Sequence, residues 1–135
     1  MINTMAGTQV EQDALTAFEA SCQLAGLSAD SVPEVWEAIR MNYTRPTRHY
    51  HTLQHLLSMF AFLEGAALAG HALHRPAAVH FATWLHDLVY EAASSTNEED
   101  SAQLASALLS PHLPPDTVAR VVQLVGVGEG QSDDP

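Results

Sequence analysis

Apolar positions along this chain recur at three- and four-residue intervals, and no segment keeps a period of two for long. This is the spacing of helices that bury one stripe. Val10, Leu15, Phe18, Cys22 and Ala25 form a first stripe. The stretch Thr8 to Glu11 (TQVE) reads as a capping box opening that helix, and Gly26 as its stop. Ser31 to Glu34 (SVPE) repeats the signal for a second helix carrying Trp36, Ile39 and Tyr43, which Pro46 should end. A third helix is expected from Thr47 to about Ala69 and a fourth from Pro76, a favoured first residue, to about Ala92. The acidic first turn of SSTNEED predicts a fifth, ending before Pro111. A sixth should follow from Asp116, with Gly126 as its stop. The expected fold is all-α, a bundle of about six helices in a single domain over 8–125. Residues 1–7 read as a flexible lead-in and 126–135 as a flexible glycine-rich, acidic tail.

Composition narrows the partners. The chain has 135 residues, 47% of them hydrophobic, so a real core is attainable. Its formal charge is −11, from 16 acidic residues against five arginines and no lysine. Nucleic-acid docking needs a cationic footprint, which is missing here. A small anionic substrate would need a local positive group, such as a metal ion or an arginine. No run reaches the ~20 apolar residues of a membrane span, and no basic, then apolar leader begins the chain, so the expectation is a cytoplasmic protein. Cys22 is the single cysteine and reads as a small core residue. The GVGEG stretch at 126–130 follows a helix and lacks lysine, so it is not a phosphate loop.

Histidine is where chemistry enters. On a helix, with about 100° per residue, His55 falls about 40° from His51, Arg48 about 60° and Phe62 about 20°. Leu53, Leu56, Leu57, Phe60 and Leu63 lie opposite. That helix alone is explained by a core face and a polar face. The next stretch, VHFATWLHDLVYE, is apolar on nearly every side of His86 and Asp87, as in a buried helix. A buried carboxylate without a partner is strongly disfavoured, so Asp87 needs a cation, an arginine or a hydrogen-bonded histidine. A helical hairpin joined by residues 70–75 would bring His86 and Asp87 to the polar face with Arg48, His51 and His55. His71, His74, His80 and His112 read as surface or incidental.

RHYHTLQHLLSMF, VHFATWLHDLVYE and TNEEDSA, in this order and with about 35 residues from His51 to His86, resemble a bacterial branch of the HD superfamily of metal-dependent phosphohydrolases. The resemblance covers roughly residues 36–125. It implies a helical domain holding a divalent metal through His51, His86 and Asp87, whose activated water attacks a small phosphoester, such as a nucleotide. Arg48, His55 and Glu98 are then candidates for phosphate contact or proton transfer, with Asn97 equally explained as a helix cap. Mixed histidine and aspartate ligands suit manganese, iron, cobalt, nickel or zinc, and magnesium less well.

A further aspartate ligand of the superfamily comes from a later helix. Here the chain reaches Pro135 without the expected stretch, and only Asp133 and Asp134 could substitute. The expectation is therefore a truncated relative with three protein ligands, a number catalytic zinc sites tolerate. Two other classes stay open: a non-catalytic metal- or ligand-binding helical module, and a helical interaction domain with structural histidines. Truncation should also leave Val118, Val121, Val122 and Val125 as an exposed apolar edge, a route to homo-oligomers.

Overall fold

A computed structural model describes residues 2–46, 48, 52–70, 75–91 and 93–131. The fold is all-α, with six helices among the described residues: α1 (Ile2–Ala25), α2 (Val32–Tyr43), α3 (Leu53–Leu68), α4 (Pro76–Leu85), α5 (Asn97–Leu109) and α6 (Pro115–Gln131). None of the described helices is long and apolar enough to cross a membrane. α1 lies against α2, α3 and α4, while α6 packs along α5 and α4.

The core follows from the stripes. Phe18, Cys22, Val35, Ile39 and Tyr43 are buried from the first two helices, and Leu53, Leu56 and Phe60 from α3. Their centre is aromatic: Phe18 meets Trp84 edge-on at 5.3 Å between ring centroids, and Phe60 lies 4.7 Å from Trp84. Phe62, assigned to the polar side of α3, is 76% exposed.

Boundaries differ from expectation in five places. α1 is helical from Ile2, so Thr8 is an interior residue and the amides after it need no capping box. Ser31 pairs with Ser28 Oγ at 3.0 Å and caps nothing through its side chain. α3 starts at Leu53, because Thr52 is extended and its hydroxyl accepts the His55 amide; Arg48 therefore precedes the helix. α4 stops at Leu85, so His86 and Asp87 occupy a turn after the helix. α6 continues through Gly126, which lacks the positive φ of Gly26 and Gly70 that a left-handed stop requires.

The valine edge of α6 is a further correction. Val118, Val121 and Val125 are 6%, 0% and 1% exposed, covered by the packing of α6 on α5 and α4. Val122, the fourth valine of that edge, is half-buried, so the edge is largely covered within the fold. His51, His71, His74, Asp133 and Asp134 lie outside the described residues.

Candidate functional site

His86 keeps right-handed helical dihedrals and the Leu88 amide closes a turn on the Leu85 carbonyl; past that point the chain leaves the path of α4, and side chains from three other regions take up its polar groups. Tyr43 reaches from the last residue of α2 to accept the Asp87 amide at 3.0 Å. Arg48, only 6% exposed, donates from Nη2 to the Leu88 carbonyl at 2.8 Å, with its guanidinium 4.7 Å above the Tyr43 ring. The Val89 amide donates to Ser101 Oγ at 2.9 Å, and Ser101 Oγ donates to the Val89 carbonyl at 3.2 Å. Asn97 does the same for Glu91, accepting from its amide and donating to its carbonyl, both at 3.0 Å.

Within this frame sits the His86–Asp87 pair. His86 Nδ1 lies 2.8 Å from the Thr83 carbonyl, and Nε2 lies 2.9 Å from Asp87 Oδ2. A carbonyl only accepts, so Nδ1 carries the proton; a neutral ring then turns the Nε2 lone pair toward another acceptor. Two species resolve that contact: a second proton, giving an imidazolium–carboxylate pair, or a cation shared by both atoms. The donor set is compatible with both. A metal-bound histidine characteristically gives its other ring N–H to a backbone carbonyl, as His86 does to Thr83. The 2.9 Å separation is also the length of a charge-assisted hydrogen bond, so the distance alone does not choose between the two.

Electrostatics tie the frame together. Burial, then the Asp87 charge, pushes the Tyr43 hydroxyl well above its ordinary range, so it is a neutral phenol at any working pH. Burial draws the Arg48 pKa down, opposed by Tyr43 and Asp87, and the guanidinium stays charged. Arg48 thus supplies positive charge near Asp87 while its donors serve the protein.

The structure brings Arg48, His86 and Asp87 into one region. His55 is exposed on the first turn of α3, and Glu98 is half-buried on the first turn of α5. Among the described residues no group of three or more His, Cys, Asp or Glu side chains forms a metal cluster, and His51 is outside them. Sequence reasoning missed Tyr43 and Ser101 as parts of the frame. Asn97 and Ser101 stand four apart on one helical face, a spacing visible in TNEEDSA and obscured there by the capping explanation.

His80, expected to be incidental, belongs to a different polar chain. Trp84 Nε1 donates to Ser21 Oγ at 3.0 Å, and Ser21 Oγ lies 2.8 Å from His80 Nδ1. His112 contacts Glu34 at 3.0 Å on the surface. No family model matches the chain, and no curated protein or solved structure matches it either, so the site is read from its own geometry.

Proposed function

We propose that this protein is an HD-superfamily-like hydrolase of a small phosphoester that works with a divalent metal. The supporting observation is the convergence of His86 Nε2 and Asp87 Oδ2 at 2.9 Å, with Nδ1 already engaged by Thr83. His86 and Asp87 would hold the ion, with His51 as the third ligand. When bound, such an ion supplies an activated water at neutral pH and stabilises charge developing on phosphoryl oxygens. The chain's own contribution is orientation: Thr83 fixes the His86 ring, and Tyr43 and Arg48 hold the backbone on either side of Asp87. His55, exposed on α3, remains the candidate for proton transfer or phosphate contact, and Glu98 the second.

One observation favours the alternative, a binding module without catalysis. Arg48, the arginine nearest the pair in sequence expectation, is buried and donates to Leu88 instead of facing solvent. A phosphate would have to be met by other groups.

Elemental analysis of the purified chain beside Asp87→Ala and His51→Ala tests the reading. Near-stoichiometric manganese, iron or zinc in the parent, lost in both variants while the helical signal persists, is the expected result. Metal retained by Asp87→Ala, or absent from the parent after incubation with all three ions, would overturn it. Phosphoester turnover by the loaded parent then separates enzyme from binding module.

A further inference from the structure

The segment from Asp87 to Glu91 lies where the apolar pattern calls for more helix. Val79 to Val89 is apolar enough on all sides to continue α4, yet α4 ends at Leu85. Competing bonds account for the difference. In a longer helix the Val89 amide would turn back to the Leu85 carbonyl; here it goes to Ser101 Oγ.

The match between the two partners is metric. Helical positions four apart are about 6 Å apart along the axis. Extended residues two apart span about 6.6 Å. Asn97 and Ser101 on α5 therefore meet Glu91 and Val89 in register, running in opposite chain directions. Each side chain both donates to and accepts from one residue, as a neighbouring β-strand would. Ser101 is completely buried, so its bonds are shielded from competing water.

We infer that Asn97 and Ser101 are positioning residues for the His86–Asp87 pair. By clamping Val89 and Glu91 they fix the chain that leaves the His86–Asp87 turn, beyond the points where Tyr43 and Arg48 hold it. In the turn that the Leu88 amide closes on the Leu85 carbonyl at 3.2 Å, Asp87 Oδ2 comes to 2.9 Å from His86 Nε2. α5 is thus a clamp that sets the geometry of a site to which neither residue contributes a ligand. Its consequence for metal affinity rests on the metal-site reading above; its consequence for the turn does not.

The test compares the parent with Ser101→Ala, Ser101→Thr and Asn97→Ala in the full chain. Amide hydrogen exchange at residues 87–91 and the ¹⁵N shifts of the His86 ring are read without added metal; manganese and zinc binding are read by calorimetry. In Ser101→Ala, exchange at Val89 should change selectively, the His86 ring shifts should move, and metal affinity should fall about 10-fold or more, the usual scale for an outer-shell partner. Ser101→Thr, which keeps the hydroxyl, should restore all three. Asn97→Ala, on the more exposed end, should do the same in smaller measure and serves if Ser101→Ala fails to fold. His86 ring shifts unchanged in a folded Ser101→Ala or Asn97→Ala would overturn the inference, as would a uniform rise in exchange over the whole chain. A parent that binds neither ion while the ring shifts still move in Ser101→Ala would sink the metal reading and leave the clamp standing.

Discussion

Helix α4 and the segment that follows it are joined at Leu85 and held by different means. Phe81, Trp84 and Leu85 are fully buried among the aromatic rings of α1 and α3, so α4 is fixed by area removed from water. In residues 87–91 only Leu88 is fully buried in the core, and the backbone is otherwise held by directed hydrogen bonds with Tyr43, Arg48, Asn97 and Ser101. Burial is non-directional and tolerates small shifts in any side chain. A hydrogen bond is directional and weakens steeply when misaligned, so it fixes the orientation of the groups it joins. Under the proposed function, the apolar half of this stretch is scaffold and the polar half holds the His86–Asp87 pair.

The largest effect should come from the scaffold. Trp84→Ala removes the ring that meets Phe18 and Phe60 and the donor that satisfies Ser21. A loss of about 3–5 kcal/mol, measured by urea unfolding, is expected from a fully buried aromatic. A loss below about 1 kcal/mol would mean that the core does not centre on this ring.

Tyr43→Phe acts at the joint between the two regimes. The ring stays in the α2 stripe, but the Asp87 amide loses its acceptor. Leaving a buried donor unpaired should cost about 1–3 kcal/mol in the urea midpoint. Under the proposed function, metal affinity should fall with it. If stability falls and affinity does not, the hydroxyl serves the scaffold and the turn keeps its geometry by the other contacts.

Six helices were legible in the hydrophobic period because burial writes itself into sequence at local spacing. Val35, Ile39 and Tyr43, or Leu53, Leu56 and Phe60, need no knowledge of their partners to be recognised as one face. The end of α4 was not legible for the opposite reason. The groups that hold the chain beyond it sit at positions 43, 48, 97 and 101, and nothing within residues 76–92 reports their approach. The start of α3 failed on a nearer competitor, the Thr52 hydroxyl, which outweighs the apolar and histidine pattern before it. His86 and Asp87 were legible as a pair in need of a partner. Their arrangement at the centre of a turn closed by Leu88 on Leu85 was not.

His80 offers the finest probe of the contrast, since it is a polar group inside the area-driven half. It faces Ser21 of α1, with Phe60 edge-on at 5.2 Å between ring centroids and Glu64 the charged residue acting on it from α3, beside a cavity of 170 Å³. Burial pushes its pKa below the ordinary 6.5, and the Glu64 charge offsets this only in part. The unfolded chain therefore takes up the proton first as pH falls. Its contribution to stability is fully present above about pH 6.5 and is lost as the pH drops through the lower folded value. His80→Gln, which cannot titrate, should remove that part of the acid sensitivity. Thermal unfolding from about pH 7.5 to about pH 5 should show the wild type losing more stability than the variant. Parallel curves would mean that His80 is as well solvated in the native state as in the unfolded one, and that the Trp84–Ser21–His80 chain opens to water.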